Sequence, residues 1–294
     1  MNRSRRIFWM AMAVAVLHGL IALATTRHRI FYGTVGRANV VADVGTYFQY
    51  ASEALGGAVP YRDFLVEYPV FAFPLMLLPR LFAPSFARYQ IAFGLEMLLA
   101  NAATLLLVAT QVERAEGARR VPFRLAWYTL FFASLCPVTV CRFDLAAMAL
   151  TFAAAWAWSS GRSKLGGTLA GVGTLVKIVP GVIAAPALIW EVERWKAERG
   201  RGMRAFAVAL IVGAGAWLAL GGVKVWDSLD YHISRGVEIG SLYSGVQMLM
   251  AKVTGSALAT AYRHSSLEVL TPCSSWAAEL GFPLQALALV LVMW

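Results

Sequence analysis

The chain has 294 residues, of which 59% are hydrophobic and 14% charged, with a mean hydropathy of +0.63. A soluble domain carries about a quarter charged residues, and it does not repeat apolar runs of roughly 20 residues, the length that crosses a bilayer. The net charge of +10 does not point to nucleic acid, because the basic residues stand in short clusters between apolar runs, where they set membrane topology.

Lipid offers no partner to a backbone polar group, so such runs must be helical. The alternating pattern of a membrane β-barrel is absent. The expected fold class is therefore all-α, a polytopic transmembrane bundle of about eight membrane helices, some short or re-entrant, with two long non-cytoplasmic loops. The first helix is expected over Ile7 to Ala24. Arg3, Arg5 and Arg6 mark its cytoplasmic end, and it reads as a retained helix rather than a cleaved leader. A polar stretch rich in Gly, Tyr, Asp and Arg follows, so residues 25–85 form the first outer loop. Within it Pro69 to Pro84 is apolar but short and holds four prolines, which predicts an interfacial or re-entrant helix.

Further helices are expected over Phe86 to Thr110, Pro122 to Val140 and Leu145 to Trp158. The apolar stretch Leu165 to Trp190 contains Lys177 and Pro180 at its middle. One straight helix there would place the basic block Arg194 to Arg204 outside, against the positive-inside rule. Two short helices bent at Lys177 to Pro180 place it inside, and the bent pair is the expectation. A helix over Ala205 to Leu220 follows, then a second outer loop over residues 223–281. The last apolar run, Phe282 to Trp294, has no charged flank, and the chain reads as one membrane domain over 1–294. Cys136, Cys141 and Cys273 lack metal-ligand spacing, and their odd number argues against a disulfide framework.

This parse puts Asp43, Asp63, Glu67, Arg142, Asp144, Lys177, His232, Arg235 and Glu238 on one side of the membrane. If helical, Asp43 and Tyr47 lie one turn apart on one face. A carboxylate there can act as general base toward a hydroxyl, or simply cap a helix. Arg142 and Asp144 join two helices, where Asp144 could equally be a cap. Lys177 interrupts an apolar run. A mid-membrane lysine costs ~2.5–3.5 kcal/mol on the insertion scale, so it is a candidate phosphate ligand, or else a snorkelling side chain at the interface. His232, Arg235 and Glu238 follow at three-residue spacing and would form one polar stripe on a helix, suited to phosphate or sugar hydroxyls or to a plain surface. Glu96 and Asn101 are expected to hydrogen-bond between helices, and Gly213 and Gly215 to aid helix packing. No phosphate loop, nucleophile elbow or paired-histidine metal motif occurs.

Taken in order, Asp43-Val-Gly-Thr-Tyr47, Val59-Pro-Tyr-Arg-Asp63, Glu67-Tyr-Pro69, Arg142-Phe-Asp144, Lys177-Ile-Val-Pro180 and His232-Ile-Ser-Arg235 resemble the markers of the polyprenol-phosphate-mannose-dependent mannosyltransferases. These form glycosyltransferase family 87 of the C-type (GT-C) superfamily. The resemblance implies an inverting transferase that moves mannose from a polyprenyl-phosphate donor to a glycolipid or polysaccharide acceptor, at the outer face of a bacterial plasma membrane. It implies Asp43 as catalytic base and Lys177, His232 and Arg235 on the donor phosphate. Tyr47, Glu67, Arg142, Asp144 and Glu238 would bind substrate. No cofactor is expected and no metal is indicated. The partners are the lipid-linked donor, the acceptor and the bilayer, with no nucleic acid. Family members usually continue through several more helices, so the resemblance implies a membrane domain truncated at its C-terminus. The alternatives are a transporter or flippase of a lipid-linked or anionic substrate, and an inactive truncated family member.

Overall fold

A computed structural model describes residues 3–27, 43–193, 200–233, 236–239, 241–263, 266–270, 279–281, 283–284, 287–288 and 291. The chain divides into two compact units, Met1–Val225 and Trp226–Trp294.

Among its described residues the first unit holds nine α-helices: α1 (Arg3–Arg27), α2 (Val44–Leu55), α3 (Phe73–Phe82), α4 (Phe86–Glu116), α5 (Val121–Thr139), α6 (Asp144–Ser159), α7 (Ser163–Val176), α8 (Val179–Glu193) and α9 (Arg201–Gly221). Among the described residues three helical stretches are long and apolar enough to cross a membrane: Ser4–Thr25, Phe86–Glu116 and Arg201–Ser228. Their outward side chains are apolar: Trp9, Leu20, Ile91, Leu99, Ile211 and Val212 are all exposed. A water-soluble helix would turn such residues inward, so the chain is a helical membrane protein.

Two clusters mark the ends of this unit. At one end Ile7 and Ala11 of α1 meet Leu105 and Ala109 of α4 and Val121 and Leu125 of α5. At the other, Ala22 of α1, Tyr47 of α2, Met76 of α3, Tyr89 and Phe93 of α4, Cys136 of α5, Leu145 of α6 and Val176 of α7 share one core. A polar knot ties α1, α4 and α5 between them. The Asn101 amide reaches His18 Nδ1 at 2.9 Å, Tyr128 donates to Asn101 Oδ1 at 2.8 Å, and His18 Nε2 lies 3.0 Å from Thr129 Oγ1. Asn101 thus bonds between helices as expected. Glu96 does not: its Oε2 is buried with no hydrogen-bond partner.

The bend expected at Lys177 is present. Helix α7 stops at Val176, Lys177 is extended, and α8 starts at Val179. Pro180 causes the break, since it has no N–H to return to the α7 carbonyls but suits the first turn of a new helix. Gly173 lets the new helix fold back, because a Cβ there would lie 2.9 Å from Pro180 Cβ. Helices α7 and α9 run parallel and in close contact. A Cβ on Gly167 would meet the Gly202 carbonyl oxygen at 1.9 Å, and one on Gly213 would meet Leu175 Cδ1 at 2.1 Å. Gly213 therefore packs a seam as expected, whereas nothing lies within 4 Å of a Cβ on Gly215.

The segment expected as interfacial is a 3₁₀ turn, Val70–Ala72, leading into α3, a short apolar helix with Pro79 inside it. Helix α10 (Val225–Ile233) starts at the last residue of the first unit, and among its described residues the second unit holds the rest of it, α11 (Leu242–Thr254) and an antiparallel hairpin of β1 (Ala259–Arg263) and β2 (Ser266–Leu270), with Ala261 opposite Glu268. The hairpin corrects the all-α expectation locally: alternating residues such as Leu267 and Val269 favour a strand in this polar stretch. Most of the final apolar run lies outside the described residues.

Candidate functional site

The loop between α5 and α6 holds Arg142, Phe143 and Asp144. It meets α2 from one side and the α7–α8 break from the other. Arg142 Nε lies 3.2 Å from Asp43 Oδ2, and Lys177 forms an ion pair with Asp144. Two carboxylates and two cations, taken from three places in the sequence, thus share one end of the bundle. Their side chains are 31% to 40% exposed, so a substrate can reach all four.

Aromatic rings fix this group. Phe143 is buried, with the ring of Tyr68 4.9 Å away, that of Tyr47 5.5 Å away, and Lys177 Nζ 5.8 Å from its centroid. The hydroxyls of Tyr47 and Tyr68 donate to Asp43 Oδ2 across long bonds of 3.4 and 3.5 Å. Burial, and then the Asp43 charge, push the Tyr47 hydroxyl well above the ordinary tyrosine range. Burial, Tyr47 and Asp43 do the same to Tyr68. Both phenols therefore stay protonated and act as donors. Burial works against the Arg142 charge, but Asp43, Tyr47 and Asp144 outweigh it and raise the guanidinium above its usual value.

Asp43 precedes α2 without a side-chain capping bond. Asp144 stands in the first turn of α6, where a carboxylate suits the helix dipole. Each carboxylate faces a cation, so the plain reading of Arg142 and Asp144 as charges paired at a helix junction is present in the structure. Lys177 does not snorkel away from the protein, because it is held by Asp144 over Phe143.

Tyr61 and Tyr68 were missed as site residues, although both fall inside motifs read from the sequence. Tyr61 is buried, with a positive φ of 67° that side chains rarely adopt. Its hydroxyl donates to the Tyr68 carbonyl at 3.0 Å, and its amide donates to Phe64 O at 3.0 Å. Asp63 closes the same loop by accepting from Arg62 at 2.9 Å and from the Val59 amide at 2.7 Å. The loop thus sets the position of Tyr68. Glu67, beside it, is buried.

The second unit carries the remaining candidates. His232 is on α10, and its side chain lies outside the described residues, as does Arg235. A single helical stripe of His232, Arg235 and Glu238 does not form, because α10 ends at Ile233 and Glu238 is bridged to Glu268 of the hairpin. The cause is strand-like pairing: Ile239 N donates to Leu267 O at 2.8 Å, Val269 N to Val237 O at 3.0 Å, and Gly236 N to Glu268 Oε1 at 3.1 Å. Among the described residues no group of three or more His, Cys, Asp or Glu could hold a metal ion.

The family model of glycosyltransferase family 87 matches residues 64–294. No curated protein and no solved structure matches the chain. The match takes in Arg142, Asp144 and Lys177, while Asp43 and Tyr47 precede it. With most of its length matched, and with acid and base groups gathered at one end of a membrane bundle, the chain belongs to glycosyltransferase family 87.

Proposed function

We propose that the chain is an inverting transferase that moves a sugar, mannose by family resemblance, from a polyprenyl-phosphate donor to a glycolipid or polysaccharide acceptor. The meeting of Asp43, Arg142, Asp144 and Lys177 at one accessible end carries this reading. Asp43 takes the proton of an acceptor hydroxyl. The oxygen attacks the anomeric carbon from the face opposite the phosphate, the carbon–oxygen bond to phosphate breaks, and polyprenyl phosphate leaves. Arg142 and the two tyrosines hold Asp43 in place for proton removal. Lys177 offsets the charge that builds on the leaving phosphate. Asp144 is a proposed substrate contact, while Tyr47 and Glu67, which are buried, keep that role on the resemblance alone. His232, Arg235 and Glu238 keep their proposed roles on the resemblance alone.

The distribution of basic residues supports a site on the outer face. Arg5 and Arg6 of α1, Arg114, Arg119, Arg120 and Arg124 around the α4–α5 turn, Arg162 and Lys164 before and in α7, and Arg201 and Arg204 of α9 all stand at the end away from Asp43. Lys and Arg accumulate on the cytoplasmic side. Helices α5 to α8 would then complete a multi-pass bundle, as the expected count of about eight requires.

The test is transfer of radiolabelled mannose from polyprenyl-phosphate mannose in membranes containing the chain, beside an Asp43→Asn variant. Label should enter a lipid or glycan with the native chain and fall at least about 100-fold in the variant, the scale of lost general-base catalysis. Equal labelling would remove Asp43 from the reaction. No labelling by folded native chain would overturn the proposed donor.

A further inference from the structure

The proposed reaction leaves one groove unused. It lies between α7 and α9 and has a volume of about 600 Å³. Lys164, Arg201 and Arg204 stand at one end, Val208 and Val212 along the wall, and Phe71 at the far end. Because α7 and α9 are parallel, both helices begin at the basic end, and the positive ends of both helix dipoles add to the three cations. The three side chains are exposed, and none forms an ion pair among the described residues.

Away from that end the groove turns apolar. Val208 and Val212 are 58% and 62% exposed. Arg204 and Val212 are eight residues apart on one helix, about 12 Å. A cationic end joined to an apolar wall of this length matches an amphiphile with an anionic head and a hydrocarbon tail. A free phosphate would use only the head end. The donor phosphate proposed above belongs elsewhere, because Lys164 and Lys177 stand 13 residues apart on α7, about 20 Å.

We infer that this groove holds an anionic phospholipid of the bilayer, its phosphate on Lys164, Arg201 and Arg204 and an acyl chain along α9. Arginine grips phosphate through two parallel N–H bonds, and basic recesses between membrane helices suit anionic headgroups. The inference needs only that the chain is embedded in lipid and does not depend on the reaction it performs.

The experiment is native mass spectrometry of the full chain in detergent, titrated with dioleoyl phosphatidylglycerol or dioleoyl phosphatidylcholine. Phosphatidylglycerol should bind at least 10-fold more tightly. Each cation is worth about fivefold, so Arg201→Gln with Arg204→Gln should cost roughly 20-fold and remove the preference. Should that pair not fold, Lys164→Gln alone should cost about fivefold. Val208→Trp should weaken binding while leaving every charge in place. Arg119→Gln with Arg120→Gln, at the same end but outside the groove, should leave binding unchanged. Equal binding of the two lipids, equal loss in the Arg119 and Arg120 control, or full displacement by millimolar inorganic phosphate would each overturn the inference.

Discussion

Asp43 and Asp144 come from distant parts of the sequence, yet each meets a cation supplied by a different element. The residue types and their order were legible in advance, because charged groups beside apolar runs are scarce and each one needs a reason. Which acid meets which base was not legible. Arg142 and Asp144 are neighbours in sequence but pair apart, Arg142 with Asp43 and Asp144 with Lys177. That outcome depends on how three helix ends converge, which no local spacing encodes. The Val59–Asp63 loop, which positions Tyr68, yields a prediction about pH. The hydrogen bond from Arg62, then that from the Val59 amide, hold the Asp63 carboxyl at about 2, below its ordinary 3.8. A depressed carboxyl stabilises the loop above its unfolded value and loses that effect as pH falls through the folded one. Pepsin cleavage in this loop should therefore stay slow down to about pH 4 and accelerate between about pH 4 and 2. An Asp63→Asn chain should be cleaved faster at the upper end and show no such step. A step of the same size in Asp63→Asn would remove Asp63 as its source.

At the scale of elements, the break at Lys177 followed from the charge rule and from Pro180, and helix bounds elsewhere shifted by only a few residues. Helix α4 is longer than its apolar run, reaching Glu116 rather than Thr110, because charged residues at a membrane boundary still continue a helix. The hairpin and the pairing of Glu238 were not legible, since a three-residue spacing fits a helix, a strand or a loop alike. The parallel seam of α7 and α9 rests on Gly167 and Gly213. Gly167→Ala should lower the stability of the purified chain by about 1–3 kcal/mol, the usual cost of overpacking, with a matching fall in melting temperature. Gly215→Ala, which meets nothing, should be neutral or slightly stabilising. Equal effects of the two would mean that the close approach of α7 and α9 is not what Gly167 provides.

For the molecule as a whole, composition alone settled the membrane class, and the family resemblance carried the reaction. The arrangement of helices came only from the structure, where among the described residues three stretches are long and apolar enough to cross a membrane. Orientation can be measured directly. In a chain whose native cysteines are replaced by serine, Leu55→Cys should react with a membrane-impermeant maleimide from outside intact cells, because Leu55 is exposed at the Asp43 end. Arg119→Cys should react only after the cells are opened. The reverse pattern would place the site in the cytoplasm and rule out the proposed outer-face reaction.

The short pair α7 and α8 has one more consequence. With 14 and 15 residues, these helices are about 21 and 22 Å long, against a hydrocarbon core of about 30 Å. If the pair crosses, as the proposed multi-pass bundle has it, the bilayer around it would thin by several ångströms or bend toward it. In sequence Arg162 and Lys164 flank the Ser163 end, and Glu191 and Glu193 the far end of α8, so the shortfall would fall at the Lys177 end. Water and lipid headgroups would sink there, and Asp43 and Lys177 would sit below the surrounding surface. A sugar carried on a long prenyl chain could then meet its acceptor without rising out of the lipid, and the thickness of the membrane becomes a control on how easily it does so.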